Sequence, residues 1–351
     1  MVELSSSSGG GSDAEPTDPN MYIIPGPYRW DVLRKRTQRA HISQRVWNTE
    51  HVRRLKTRRG KPQGGPPTRA IPEVVTHYLT QAGFIHVARM RHLQDVAGIL
   101  GLPTDGKVVT GSTNEDWPAV CAAAFGAAPQ ANEFHHSGDL RISFLDRLYT
   151  WWTDHAGDHD REIFFTKAHI ACMLGCWLLA DKSGGSNIGC RLVSLPGGGF
   201  DEIGRFSWGS AVLTHLFRNL SEVTDAGRSD MGGCHILLQI WAWVRFPPIA
   251  PSILPHAELG LQYGCRFNTV AKFKPHEVVW QPYIDYQWLD VTPEQQYLWL
   301  AVGPLIYFHT VEACQPDRCM RQFGLDQPIP DVSRKLRGIH DHTLQGKVDE
   351  N

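Results

Sequence analysis

The stretch that decides the fold is residues 207–220, SWGSAVLTHLFRNL. Trp208 and every fourth residue after it, through Leu220, are apolar, which places them on one face of a helix. Ser207 stands directly before this stripe, where a serine hydroxyl can cap the first free amides of a helix. The sequence therefore predicts a helix that begins at Trp208 and buries one face in a core.

Outward from this helix, most other apolar segments also have helical spacing or length. Leu140–Trp152 repeats apolar residues at helical intervals, and Ile163–Leu179 is apolar almost all round, which predicts a buried central helix. Ile236–Val244 is a further predicted helix that ends before Pro247. Leu305–Ala313 is predicted to be helical as well, after an interruption at Gly303 and Pro304 and until Pro316.

Only short extended pieces are predicted, at 107–110 and 278–280. The capping signal Thr292-Pro293-Glu294-Gln295 predicts one more helix start. No regular alternation of strands and helices is present, which argues against a doubly wound sheet. The predicted fold class is mainly α: a helical domain with a few short β-strands, preceded by a disordered basic N-terminal region.

Composition sets the domain organisation. The chain has 351 residues, 42% hydrophobic and 20% charged, which is typical of one large globular domain or two modest ones. Residues 1–70 are predicted to be disordered and polar or basic, 71–330 to form the helical domain, and 331–351 to be a truncated tail. No apolar run reaches the roughly 18 residues of a membrane span, so no membrane contact is expected. The 8 cysteines, without a signal peptide, are expected to be reduced.

The formal charge of −1 hides a strongly basic segment at 29–61, opposed only by Asp31 and Glu50. Arginine dominates it, and the planar guanidinium suits phosphate oxygens. The candidate nucleic-acid-binding residues are Arg34, Lys35, Arg36, Arg53, Arg54, Arg58 and Arg59. Trp30 and Trp47 could stack on bases. A nuclear-localisation signal or a solvated arm is the open alternative.

No familiar catalytic template is present. The chain lacks a P-loop, a dinucleotide fingerprint and a GxSxG elbow, so no catalytic residue, cofactor or small-molecule substrate is predicted. The weak metal candidates are His155, Asp158 and His159, although Gly157 between them weakens a helix and a solvated turn is the alternative. Cys172 and Cys176 are interpreted as small buried hydrophobes rather than zinc ligands.

Seven stretches together resemble a known family, the plant mobile domain, which is also labelled aminotransferase-like. They are AGF with HVA at 82–88, LQDVAGILGLPTDGKVVTG at 93–111, DKSG at 181–184, FDEIGRFSWGSAVLTHLFRNL at 200–220, GGCHILLQIWAWVRFP at 232–247, WQPY at 280–283 and PLIYFHTVEACQPDRCMRQFGLDQPIP at 304–330. The family occurs in maintenance-of-meristems-like proteins and in the long form of a plant serine/threonine phosphatase.

The resemblance implies a transposon-related protein of the nucleus, with roles in transposon silencing, genome stability and meristem development, acting through nuclear protein partners. It carries over no catalytic residues and no cofactor. The expected function is therefore a non-enzymatic nuclear interaction module. The alternatives are an enzyme with an unrecognised site, metal-dependent or around Arg318 and Arg321, and a degenerate transposon-derived copy without activity.

One departure from the family bears on the fold. Relatives carry a further segment between the equivalents of Arg89 and Leu93, so the chain has an apparent internal deletion near 90–92. Because the missing segment would help to cover the first helices, its absence predicts exposed apolar surface around Phe84, Val87, Leu93 and Ile99.

Two expectations concern side-chain contacts within the motifs. Trp208 is expected to pack on Trp241 or Trp243. The polar residues of the motifs are expected to form a patch that either binds a partner or builds a structural ion-pair network, with Asp201 and Glu202 close enough to Arg205 for a local ion pair. The patch comprises Asp201, Glu202, Arg205, Asp317, Arg318 and Arg321.

Overall fold

The computed structural model describes residues 56–57, 75–84, 100–112, 114–135, 138–153, 158–181, 187–195, 198–223, 228, 230–246, 248, 300–320 and 326. The prediction of a mainly helical fold with a few short strands is confirmed. Within the described part of the chain, no helix combines the length and the apolar character needed to cross a bilayer.

The elements follow one another in a mixed order. The helices are α1 (Thr76–Gln81), α2 (Trp117–Phe125), α3 (Ile142–Thr153), α4 (His159–Met173), α5 (Arg191–Ser194), α6 (Phe200–Gly204), α7 (Trp208–Val223) and α8 (His235–Arg245). The strands are β1 (Lys56–Thr57), β2 (Phe134–His135), β3 (Asp139–Arg141), β4 (Asn187–Gly189), β5 (Asp230–Met231), β6 (Gly303–Tyr307) and β7 (Thr310–Cys314). A 3-10 turn, Pro316–Arg318, follows β7.

The buried central helix predicted around 163–179 is present. Asp158 caps α4 by accepting a hydrogen bond from the Asp160 amide at 3.1 Å, and the residues from Phe165 to Met173 are buried. Beyond α4 the chain continues as a π-helix, Leu174–Leu178, which the sequence pattern did not predict. Position 175 of this π-helix is a glycine, and a side chain at this position would collide with Ile188.

The helix that begins at Trp208 is also confirmed, but its packing differs from expectation. The indole of Trp208 is fully buried, contacts the rings of Phe84 and Phe206, and donates a hydrogen bond to the Ile203 carbonyl at 2.8 Å. Trp208 thus packs on these two phenylalanines rather than on Trp241, which is 40% exposed, or on Trp243.

The contact with Trp208 also corrects the expectation of exposed apolar surface at Phe84. The Phe84 ring is fully buried, because α7 supplies the cover that the missing segment was expected to provide. Val87, Leu93 and Ile99 lie outside the described residues.

The predicted helix at 305–313 is wrong. Strands β6 and β7 form an antiparallel hairpin in which Tyr307 pairs with Thr310, and the two-residue turn is Phe308–His309. The β-branched and aromatic residues of these strands favour extended structure over a helix. The hairpin packs on α7. The expected helix start at 292–295 and the extended piece at 278–280 lie outside the described residues.

Small sheets complete the described body. Strands β2, β3 and β4 form an antiparallel sheet, and β1 pairs in parallel with β5. The pairing of Lys56 and Thr57 with β5 ties two residues of the basic segment to the folded body. The extended piece predicted at 107–110 makes two bridges, Lys107 with Phe206 and Val109 with Tyr307.

Candidate functional site

A polar cluster forms where α7 meets the β6–β7 hairpin and the end of the π-helix. We call it the His215 cluster, and it consists of Asp181, Arg191, His215, Tyr307 and Phe308. The imidazole of His215 lies edge to face against the Tyr307 ring, with centroids 5.5 Å apart. Four of these residues come from three of the family-like stretches, so segments far apart in the sequence converge here.

His215 is held in place by backbone contacts. Its Nε2 lies 3.0 Å from the Ala180 carbonyl oxygen, which can only accept, so Nε2 carries the proton and Nδ1 a lone pair in the neutral ring. Asn219, one turn further along α7, donates from Nδ2 to the His215 carbonyl at 2.8 Å. The Asn219 Oδ1 accepts from the Gly232 amide at 3.1 Å, which joins α7 to the chain before α8.

The electrostatics of the cluster favour neutral aromatic side chains. Burial lowers the pKa of His215, and the Arg191 charge acts in the same direction, while the hydrogen bond to Ala180 and the charges of Asp181 and Glu222 raise it. Burial likewise raises the pKa of Tyr307. At neutral pH the cluster therefore presents a neutral imidazole and a neutral phenol beside the Arg191 cation.

Arg191 occupies the corner between two perpendicular rings. Its guanidinium carbon lies 5.7 Å from the Tyr307 ring centroid and 5.3 Å from that of Phe308. Arg191 also makes a side-chain hydrogen bond with Tyr307, and this bond and the Arg191 charge lower the pKa of Tyr307 against the larger effect of burial. Among the described residues, the enclosed Nε of Arg191 has no hydrogen-bond acceptor.

Two uncommon backbone conformations border this cluster. The π-helix leads through Leu179 to Ala180 and Asp181, and π-helical turns are frequent at functional sites. Phe308 has a φ of 49°, which is the left-handed region and is rare for a bulky residue. Its amide donates to the Val109 carbonyl at 2.9 Å, which holds the turn in place.

The weak metal candidates have other roles. Asp158 caps α4 and forms an ion pair with Arg161 at 3.1 Å. His159 Nδ1 lies 3.0 Å from the Tyr78 hydroxyl. His155 lies outside the described residues. Among those described, no three acidic, histidine or cysteine side chains are grouped as metal ligands would be.

The predicted polar patch is only partly visible. Glu202 pairs with Lys107 at 3.4 Å rather than with Arg205, and both partners of that pair are more than half exposed. Asp201 and Arg205 are exposed on and after α6, and Asp317 lies in the 3-10 turn after β7. The Arg318 side chain and Arg321 lie outside the described residues. So do all seven candidate nucleic-acid-binding residues.

The cysteines confirm the interpretation as small buried hydrophobes at 172 and 176. Their sulfur atoms lie 3.6 Å apart in the core, and the hydrogen bond between them, together with burial, raises the pKa of Cys172 well above its usual value. Burial also raises the pKa of Cys121 to about 12 and that of Cys234 to about 11. The thiols of Cys121, Cys172 and Cys234 are therefore protonated at neutral pH, and a thiol is a poor nucleophile in that form.

Sequence reasoning missed the His215 cluster. His215 and Tyr307 lie inside family-like stretches where apolar spacing predicts helices, and Arg191 lies in none of these stretches. One sequence signal was available: the polar residue His215 lies next to Leu216, which belongs to the regular apolar stripe of this helix. The hairpin that brings Tyr307 to it was mistaken for a helix, so the two could not be placed together.

Comparison with known proteins identifies a family and several relatives. The family model of the plant mobile domain matches residues 91–350. A serine/threonine-protein phosphatase 7 long form homolog of Arabidopsis thaliana is 31% identical over 314 residues, covering 79% of this chain and 22% of the relative. Protein MAIN-LIKE 2 of the same plant is 29% identical over 371 residues, covering 90% of this chain and 55% of the relative.

A third relative, the Arabidopsis thaliana protein MAINTENANCE OF MERISTEMS, is 30% identical over 274 residues, covering 72% of this chain and 56% of the relative. The chain thus spans about half the length of two of these relatives and less than a quarter of the phosphatase homolog. No solved structure matches the chain.

Proposed function

The chain belongs to the plant mobile domain family, and from that premise we propose that it is a non-enzymatic nuclear interaction module acting in transposon silencing, genome stability and meristem maintenance. The name of the relative MAINTENANCE OF MERISTEMS supports the developmental part of this proposal. Protein partners in the nucleus are the proposed ligands of the folded body.

The observation that carries the proposal is the burial of three aromatic residues of the family-like stretches. Trp208, Tyr307 and Phe308 are buried against other side chains, with exposures of 0%, 2% and 8%. Residues in such positions set the shape of a scaffold, whereas a reaction site needs several ionisable groups that converge on open space. Their burial supports a module that acts by presenting a surface.

The reactive side chains of the described body also have structural roles. The Cys172 and Cys176 thiols contact each other in the core, and His159 is engaged by Tyr78. The His215 Nε2 donates a hydrogen bond to the Ala180 carbonyl oxygen. With these partners, the positions of the side chains are explained by the packing of the fold, without a role in a reaction. These contacts favour the interaction module over the metal-dependent enzyme.

The basic segment supplies the proposed route into the nucleus and a contact with nucleic acid. Localisation of the full chain, fused to two fluorescent proteins to prevent passive diffusion, tests the first role. The arm variant replaces the seven candidate basic residues with Gln, and these are Arg34, Lys35, Arg36, Arg53, Arg54, Arg58 and Arg59. Nuclear accumulation should be lost in this variant and kept in the control Arg141→Gln, Arg205→Gln. Unchanged accumulation of the arm variant would remove the import role.

Duplex binding tests the second role of the segment. Each phosphate contact releases a counterion, so seven contacts predict a slope of roughly −6 in log affinity against log salt. The arm variant should show a slope near zero. A wild-type slope equal to that of the arm variant would exclude the segment as the nucleic-acid contact.

The silencing role is tested in a plant line that lacks the chain. Transposable-element transcripts should rise in that line and fall again when the full chain is expressed. Transcripts that stay raised although the protein is soluble and nuclear would support the degenerate copy instead.

A further inference from the structure

A short extended piece of the chain, residues 107–110, is bound to the body along one side. The Lys107 amide donates to the Arg205 carbonyl at 2.7 Å, and the Val109 carbonyl accepts from the Phe308 amide at 2.9 Å. In an extended chain the backbone groups of successive residues point to opposite sides. The residues at 107 and 109 therefore direct their N–H and C=O groups toward the body.

The opposite side of this piece is an open strand edge, which we call the Val108 edge. It consists of the N–H and C=O groups of Val108 and Thr110, which make no backbone hydrogen bond among the described residues. The Val108 side chain is 43% exposed, and Thr110 and Gly111 are exposed as well. Val109 between them is fully buried, which fixes the register of the piece. The Val108 edge is therefore accessible from solvent.

The Val108 edge lacks the protection that folded proteins usually give to such an edge, which is a charge, a proline or a covering segment. Val108 and Thr110 are uncharged, and Lys107, the single charged residue at 107–110, pairs with Glu202 at 3.4 Å. The hydrogen bonds to the body hold the edge in extended form before any ligand arrives. A preformed edge loses little further freedom when it binds a second chain.

We propose that the Val108 edge binds an extended segment of a partner protein, which adds to it as a further strand. Donors and acceptors alternate along the edge, and another extended backbone offers the matching pattern. A phosphate or a carboxylate offers acceptors only, so an anionic ligand would leave the two carbonyl groups unused. Because neither outward residue is charged, we expect uncharged β-branched or aromatic residues opposite Val108 and Thr110.

This inference rests on the proposed function for its ligand, because that function supplies the protein partner. The two can fail separately. Nuclear accumulation and transposon silencing are measured in cells, whereas strand addition is measured on the purified full chain with a defined peptide. A chain that fails to bind the peptide could still act in the nucleus, and a chain that stays outside the nucleus could still bind the peptide.

The test is an NMR titration of the full chain with the peptide acetyl-Lys-Val-Thr-Val-Thr-Lys-amide, whose terminal lysines keep it soluble. The peptide should shift the amide resonances of Val108 and Thr110 saturably and slow the exchange of these amides with solvent. The matched control peptide carries N-methyl groups on its four central residues, which removes the backbone donors and keeps the side chains. Because the hydrogen bonds from those donors are lost, the control should bind about tenfold more weakly.

A protein variant tests the same edge from the other side. Val108→Pro removes one edge donor, and proline is tolerated where the N–H of an edge strand faces solvent. It should bind the peptide about fivefold more weakly at an unchanged melting temperature. The control Phe217→Ala removes an exposed apolar side chain on α7 and should bind the peptide as the wild type does.

Two results would overturn the proposal on the peptide side. One is the absence of a saturable shift at Val108 and Thr110, and the other is equal binding of the peptide and its N-methylated control. Self-association of the full chain that Val108→Pro abolishes would also overturn it, because the edge would then belong to a contact with a second copy of the chain.

Discussion

The Nε of Arg218 on α7 lies 2.6 Å from Oε1 of Glu312 on β7. A second guanidinium nitrogen of Arg218 donates to the Val311 carbonyl at 3.2 Å. The Arg218 side chain therefore binds both the Glu312 carboxylate and the backbone of β7. This contact fixes the hairpin on α7 and thereby brings Tyr307 and Phe308 to His215 and Arg191.

Replacing Arg218 with Ala should destabilise the protein. Only 7% of the Glu312 side chain is exposed, so the change leaves a carboxylate without its principal cation in a largely dry position. We expect a loss of about 2 kcal/mol in the free energy of unfolding, below the range for fully buried pairs because the Arg218 side chain is 16% exposed. The control Lys107→Ala breaks an exposed pair and should cost less than about 1 kcal/mol. Equal losses in urea unfolding of the two variants would contradict the structural role of the Arg218 pair.

Gly175→Ala should destabilise the π-helix. A Cβ at this position would lie 2.6 Å from two carbons of Ile188, so the β4 strand must shift or the helix must bend. Overpacking of this kind costs about 1–3 kcal/mol. The matched control is Gly199→Ala, where a Cβ meets nothing within 4 Å. Thermal melting of both variants provides the measurement, and an unchanged midpoint for Gly175→Ala would show that the close approach to Ile188 is not needed.

His169 should make stability depend on pH. It is buried beside Tyr149, whose hydroxyl lies 3.1 Å from Nδ1, and burial lowers its pKa from 6.5 to about 4. Between about pH 6.5 and 4, His169 binds a proton in the unfolded chain but not in the folded chain. The stability that this group contributes above about pH 6.5 is therefore lost as the pH falls toward 4. Between pH 7 and pH 5 this loss amounts to about 2 kcal/mol.

The comparison that isolates this effect is His169→Phe. Urea unfolding of both proteins at pH 7, 6 and 5 should show a steeper decline for the wild type. Parallel declines would mean that other titrating groups account for the pH dependence.

Trp208→Phe should cost about 2 kcal/mol, because it removes the hydrogen bond to Ile203 and leaves part of a filled cavity empty. Trp241→Phe is the matched control, since that ring is 40% exposed on α8. Denaturant midpoints of the two variants decide the point. If Trp241→Phe were the more damaging change, the assignment of Trp208 to the core and Trp241 to the surface would be wrong.

Local pattern was sufficient to predict the helices that carry long apolar stripes. Helices α3, α4, α7 and α8 all lie where spacing and apolar length placed them, because burial of one face dominates the choice of structure there. The pattern failed at 305–313. A short apolar run without Asn-Gly at its turn is ambiguous between helix and strand, and here the turn uses Phe308 at a positive φ instead.

Tertiary contacts were beyond the reach of the sequence. One partner of Trp208 is Phe84, more than 120 positions earlier, whereas the expectation of Trp241 or Trp243 rests only on their aromatic character. Arg191 follows the short strand β4 and lies in no recognised motif, so nothing in its neighbourhood points to the rings it contacts. Long-range packing of this kind depends on the whole fold, so the local spacing of residues cannot predict it.

The most direct test of a non-enzymatic module asks whether the protein still represses transposable elements in plants when its candidate metal ligands are replaced. The variant His155→Gln, Asp158→Asn, His159→Gln removes the metal-ligand candidates, and Asn at 158 preserves a helix cap. In a line that lacks the chain, we expect this variant to repress transposable-element transcripts to within about twofold of the wild type. If the variant is folded and nuclear but leaves those transcripts as high as in the line without the chain, the protein works by chemistry at these residues and the account is wrong.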